Sequence, residues 1–384
     1  MRRAARDGAS QRTLASAAVC LGLLHAAAHA SPTAVTVEGG AEADSNLQRV
    51  ETGAGLPTER LGGSVIRVGA RVDHRGVAAG GAFALALQSL SRLVAGNEAT
   101  PENVALLTAD LRWVHAIGKR PVSAGFGLVF ADALPLADEV GARTFRNLGA
   151  DALLVLRGTE DRSLTLAVGP RHFEYKPDHD FDWIGAAISA RLDLTLWEPS
   201  GGTRSVELAA IVGFEARAYD SRARASACPD DAPPSPECFA PTTLARRDRY
   251  QRAGVELTWV GRVVAAAGYQ LTVIDSNSYG QSLVRHRATV STTTDLPGKW
   301  IGTALATLQI DQYLDGVVVQ KDLQHQEFTN LDDANRSSLQ LRIARKLTVA
   351  WSLEARGAIW RDLGGTLDTS FRRELVYLGG VYNR

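Results

Sequence analysis

Cysteine is nearly absent from this chain: its 384 residues hold three, together with a single methionine. So few thiols exclude a disulfide-stapled scaffold and a cysteine-rich structural zinc site. Cys20 lies in the N-terminal apolar stretch, which leaves Cys228 and Cys238 at the two ends of a proline-rich segment. An exported compartment permits a bridge, and we expect Cys228 and Cys238 to be joined. Net charge is absent too, with 42 Lys and Arg against 42 Asp and Glu. That balance argues against a nucleic-acid partner. After Ser31 there is no run of about 18 apolar residues, so no transmembrane helix is expected.

Catalytic constellations are missing as well. His74 falls in an expected turn and His325 in a loop, while His115 and His286 fall on apolar faces. No Ser–His pair with a polar orienter can be assembled. Asp178-His179-Asp180, Asp230-Asp231 and Asp332-Asp333 read as solvated loop residues rather than metal ligands. There is no phosphate-binding glycine loop and no solenoid repeat. We expect no enzymatic activity, no metal and no cofactor.

What the chain does contain begins with a leader. Arg2, Arg3, Arg6 and Arg12 precede an apolar stretch from Leu14 to Leu24, and Ala28-His29-Ala30 reads as a cleavage site. Residues 1–30 are thus expected to be a signal peptide, with export to the periplasm or beyond. No linker-like break divides residues 31–384, which read as one unit.

That unit alternates at period two. In Thr348 to Arg361, Val349, Trp351, Leu353, Ala355, Gly357 and Ile359 share one face, and Ala350, Ser352, Glu354, Arg356 and Ala358 the other. Leu339, Leu341 and Ile343 alternate with Gln340, Arg342 and Ala344. Such a period puts one face in an apolar medium and the other in a polar one. Runs this long exceed the usual strand of about 5–6 residues and suit the about 9–11 residues of a tilted membrane strand.

Seven tight turns are expected, at Asp73–Gly76, Gly118–Pro121, Thr159–Arg162, Pro199–Gly202, Gly261–Arg262, Asp295–Gly298 and Arg345–Lys346. Eight connections of more varied length alternate with them, the longest being Asp220–Ala245 and Asp315–Ala334. Short turns on one side and longer loops on the other fit an all-β, transmembrane antiparallel β-barrel of about 16 strands, its termini on the periplasmic side. Trp113, Trp197, Trp259, Trp300 and Trp351 lie near tight turns, and Trp183 and Trp360 near loops. All seven are expected at the membrane interfaces.

The same alternation names the lumen-lining residues. Charge facing lipid at mid-depth costs about 2–4 kcal/mol, so charged positions must point inward. They are Arg67, Arg71, Asp110, Arg112, Arg191, Asp193, Glu215, Arg217, Arg285, Arg287, Arg342, Glu354 and Arg356. Glu38, Glu42, Asp151, Glu207, Glu256, Gln309 and Asp311 share their face. Opposite charges two apart, as in Asp110/Arg112, Arg191/Asp193, Glu215/Arg217 and Glu354/Arg356, can pair along one strand. This pattern fits a wet channel of mixed charge and equally a lumen braced by ion pairs. In the channel case the balance predicts weak ion selectivity.

Two short motifs carry a resemblance. A first strand ending Glu42-Ala43-Asp44-Ser45-Asn46 is similar to several families of bacterial outer-membrane barrels, among them the barrel of surface-lipoprotein assembly modifiers. Arg373-Glu374-Leu375-Val376-Tyr377-Leu378-Gly379-Gly380-Val381-Tyr382 resembles a closing strand. The resemblance implies a porin-like barrel in the cell outer membrane, surrounded by its lipid and inserted by the barrel-assembly machinery. Closing strands of that group usually end in Phe, whereas this chain ends Asn383-Arg384 with Tyr382 as substitute. The assembly modifiers also carry helical repeats, for which this chain has no room. The expected function is passive diffusion of small polar solutes. The alternative is a non-conducting barrel for surface interaction, or for assembly or export of another component.

Overall fold

The computed structural model describes residues 33–49, 52–53, 60–96, 100–118, 121–137, 141, 143–158, 161–199, 204–226, 239–314, 336–362 and 369–384. The expected signal peptide, Cys228, Cys238 and the stretch 315–334 lie outside these residues.

Period-two alternation gives each strand two unlike faces, and a closed sheet separates them completely. The strands are β1 (Thr33–Asp44), β2 (Gly63–Ala78), β3 (Gly81–Val94), β4 (Val104–Ala116), β5 (Val122–Pro135) and β6 (Phe145–Arg157). They continue as β7 (Arg162–Tyr175), β8 (Trp183–Trp197), β9 (Ser205–Ser226), β10 (Phe239–Val260) and β11 (Val263–Ser276). The last are β12 (Leu283–Leu296), β13 (Trp300–Tyr313), β14 (Ser337–Lys346), β15 (Trp351–Arg361) and β16 (Arg372–Asn383). Each pairs antiparallel with its sequence neighbours, and β1 pairs with β16 to close a sixteen-stranded barrel. Thr52–Gly53 and Thr369–Ser370 form a small separate ribbon.

Seven tight connections lie at one end and eight loops at the other. The first strand begins and the last strand ends at the turn end, where the Val35 N–H donates to the Arg384 carbonyl at 2.8 Å. The first turn departs from expectation. Asp73 and His74 stay paired with both neighbouring strands, and the chain reverses at Ala79 and Gly80, φ 50° and 73°. Two successive positive φ values make the right-twisting hairpin turn, and Gly80 adopts its share without strain. The β15 strand also starts later than Thr348, whose hydroxyl accepts from the Trp351 N–H at 3.0 Å within the last turn.

The outer face is an apolar belt. Ile66, Val68, Leu128, Ile188, Val212, Val255, Leu341, Leu353 and Leu378 are exposed between 39% and 62%. Belts like this do not remain in water, and hydrocarbon is the medium that accepts them. Strands of 14 residues, tilted as in such barrels, reach about 35 Å, enough to cross the membrane. Closure leaves no wall strand with an open edge, the condition for non-helical chain in lipid. The fold is an all-β transmembrane barrel of the outer-membrane kind.

Tryptophan marks one rim of the belt. Trp113, Trp197, Trp259, Trp300 and Trp351 face outward at the turn end, where Trp197 and Trp259 stack at 5.9 Å. Trp183 and Trp360 do not join a second rim. They are 7% and 2% exposed and fall on the inward phase of their strands, with Gly185 and Arg356. There they pack as core residues.

Candidate functional site: the barrel interior

The interior has two unlike halves. Its apolar core gathers at the loop end. Leu90, Val104, Leu106 and Ala133 pack with Phe145, Phe173, Tyr175, Trp183 and Tyr219, so strands β3 to β9 each contribute near their loop-facing ends. Smaller clusters join Leu47, Val65 and Val94, then Tyr250, Ile274 and Leu283, then Trp360, Phe371, Leu375 and Tyr377. Together they form a collar beneath the loops. Its stacked rings run along neighbouring strands, Phe145 to Phe173 at 5.9 Å and Phe173 to Trp183 at 5.8 Å. Arg217 lies in this collar, 4.2 Å from the Trp183 ring centre and 3.9 Å from that of Tyr250, and donates to Glu215 at 2.5 Å. Arg246 caps Tyr219 at 4.1 Å and pairs with Asp248. A guanidinium over an aromatic face is stabilised by the ring quadrupole, most strongly when desolvated.

A buried ionic network crosses the seam where the first and last strands meet. Arg92 binds Glu42 at 2.8 Å and Asp44 at 2.9 Å, and Arg373 binds Asp44 at 2.7 Å. Arg67 reaches Glu38 at 3.1 Å, and Arg356 binds the same carboxylate at 2.6 Å. Arg356 and Arg342 then share Glu354. Strands β1, β2, β3, β14, β15 and β16 are thereby tied through their inner faces. The Tyr377 ring lies in this network, 4.9 Å from the Arg356 guanidinium, and fills the space left by two glycines. A Cβ on Gly379 would stand 2.2 Å from the Tyr377 hydroxyl.

Toward the turn end the interior opens and stays polar. Arg71 pairs with Asp73 at 2.6 Å, Arg112 with Asp110 at 3.4 Å and Arg191 with Asp193 at 2.8 Å. Arg171 binds Asp151 at 2.7 Å. Asp161, Arg162, Arg191, Asp193, Glu207, Glu256 and Thr258 line a polar recess near the mouth. Nearer the loop end, two residues from Leu283 and Tyr313 of the collar, Arg285 grips Asp311 through two 2.8 Å bonds, and Arg287, closer to mid-strand, stands opposite Gln270 and Gln309 on the neighbouring strands. Below them Thr293 and Thr303 share a 3.1 Å hydroxyl contact.

Every residue expected on the inner face sits on a described strand, on the phase opposite the apolar belt. The structure brings Arg67, Arg342, Glu354 and Arg356 together at the seam and leaves the other ion pairs separate. Sequence reading missed Arg92, Arg171, Arg246, Arg252 and Arg373, and with them Asp44 and Asp248. Their signal was available, since Arg373, Leu375 and Tyr377 share one phase. The aromatic collar was missed because a polar inner face was assumed along the whole strand.

Outside the wall, Asp178 caps a short turn by accepting from the Asp180 N–H at 3.0 Å. His179 lies 2.7 Å from Asp182, whose hydrogen bond and charge hold the imidazole pKa above its ordinary value. His115 bonds the Gly80 carbonyl, and His286 the Tyr269 hydroxyl, both on the outer face. These side chains are occupied by local structure.

No known protein family matches the chain, and no curated protein does. Solved structures are similar in outline. OccAB4 of Acinetobacter baumannii is 9% identical with a TM-score of 0.46, over 92% of this chain and 98% of that one. OccK8 (OprE) of Pseudomonas aeruginosa is 9% identical at 0.44, over 92% and 98%. OmpT, an outer membrane protein of Vibrio cholerae, is 10% identical at 0.39, over 93% and 99%. The functional reading rests on the barrel's own residues.

Proposed function

We propose that the protein is a porin-like channel of the outer membrane, passive and non-enzymatic, through which small polar solutes diffuse. The observation that carries this reading is the open polar half of the interior. A sixteen-stranded wall encloses more space than its side chains fill, and barrels of this size hold water. Arg71, Asp110, Arg112, Arg191, Asp193, Arg287, Arg342 and Arg356 would line the path, whereas Arg67, Arg217, Arg285, Glu215 and Glu354 would brace the wall. The collar would form the narrowest passage, at the loop end, and so set the solute size. Insertion is proposed to use the barrel-assembly machinery, with Tyr382, packed 5.1 Å from Trp351, as the terminal aromatic. The same collar favours a second reading, a barrel closed at its outer end that serves surface interaction, assembly or export.

Liposome swelling separates the two. Vesicles carrying the folded protein should swell in isotonic neutral sugars, faster for a pentose than for a disaccharide. Swelling no faster than in protein-free vesicles would favour the closed barrel.

A further inference from the structure

The inner charges balance in number but not in exposure. Among the described residues, the seam network sets five arginines against four carboxylates, and the carboxylates lie against the wall. Glu354 has a fully buried side chain, yet the Arg342 side chain bonded to it is 47% exposed and that of Arg356 26%. Arg342 and Arg356 stand directly opposite each other on β14 and β15. One carboxylate serves both, and the second partner of Arg356, Glu38, is shared with Arg67. The surplus positive charge therefore emerges at Arg342, at the open end of the chain of pairs.

Among the described residues, the surroundings of Arg342 do not cancel it. Its partner across β13 is Thr303, whose hydroxyl meets Thr293 of β12, and Ser291 lies on the same inner face. The nearest inner carboxylate on that side, Asp295 on β12, lies two strands away and two residues beyond Thr293, about 12 Å along the wall and past the screening length of about 8 Å; Asp311, further toward the loops, is occupied by both guanidinium arms of Arg285. Glu256, on β10, is four strands away. At about 4.8 Å per strand that is about 19 Å around the wall, beyond the screening length of about 8 Å at physiological salt. A guanidinium fork beside hydroxyl donors is the chemistry that holds carboxylate and phosphate oxygens.

We propose that Arg342 and Arg356, with Thr303 beside them, form a subsite for small carboxylate- or phosphate-bearing solutes, and that the channel prefers anions despite its zero net charge. The proposal deepens the channel reading and rests on it for permeation, but binding can be tested separately. It replaces the weak selectivity expected from composition.

Two measurements test it on the full-length folded protein, with heat-dependent gel mobility verifying the fold of each variant. In a planar bilayer under a potassium chloride gradient, the reversal potential should have the sign of chloride permeation. Arg342→Gln should move it toward zero, and Arg342→Lys should keep the sign. In detergent, calorimetric titration with succinate and with pyrophosphate should show binding that Arg342→Gln weakens about tenfold, the worth of about one charge-assisted contact. Binding of one probe alone would identify the carboxylate or the phosphate class. A silent bilayer with Arg342-dependent binding would overturn the channel and keep the subsite. No binding of either probe, or binding indifferent to Arg342→Gln, would overturn the subsite. A potassium-signed potential in the wild type would overturn the anion preference.

Discussion

Leu341 and Gln340 are neighbours on β14 with opposite surroundings: Leu341 is 52% exposed on the apolar belt, and Gln340 turns to the interior. The same new side chain should therefore act differently at the two positions. Leu341→Arg should lower folding free energy in lipid vesicles by about 2–4 kcal/mol, the cost of a cation near mid-depth. Gln340→Arg should fold nearly as well as the wild type. Urea unfolding of vesicle-inserted protein measures both, and equal losses would reject the facing assigned to this strand. At this scale the alternation was plain in the sequence, because period two in Leu339, Leu341 and Ile343 leaves no second choice of face. The i, i+2 pairs were legible for the same reason, since the two members share one face. What one residue's phase does not show is depth. Trp360 shares a phase with Glu354 and Arg356 but lies in the apolar collar, whereas they lie in the ionic network.

Strand pairing brings together what the chain keeps far apart. Asp44 and Arg373 are separated by 329 residues, yet they share two 3.1 Å contacts and one of 2.7 Å when β1 meets β16. Sequence order alone gives no sign of such a contact until closure is assumed, which is why the seam network was not foreseen. Four glycines face each other at its centre, Gly39 opposite Gly380 and Gly40 opposite Gly379. Glycine weakens a strand, so inner-face contacts matter most here. Asp44→Ala would leave Arg373 and Arg92 buried with less compensation. Removing one partner of a buried pair typically costs about 3–5 kcal/mol. We expect that loss in urea titrations of refolded protein, with a larger fraction remaining unclosed on heat-dependent gels. Unchanged stability would mean that the network contributes nothing to closure. Turn placement was less legible than strand identity. Asp73-His74-Arg75-Gly76 has turn composition, but Asp73 and His74 pair with strands on both sides, Arg75 and Gly76 pair with β3, and Ala79-Gly80 provides the reversal.

Across the whole molecule the strand count, the closed ring and the common end where β1 begins and β16 finishes followed from spacing, because an even number of strands joined by alternating turns and loops permits one arrangement. The division of the interior did not follow. Its collar takes a few residues from each of many strands, such as Val104, Phe145 and Trp183, and no single stretch carries enough of them to stand out. An apolar collar at the loop end with an open polar space below describes a passage with one narrow region. Water and solute are proposed to cross it. Single-channel recording of the purified protein in a planar bilayer tests that claim most directly. Discrete, stable conductance steps should appear, and only with correctly folded protein. A bilayer that stays silent, with folded protein shown to be inserted, would contradict it.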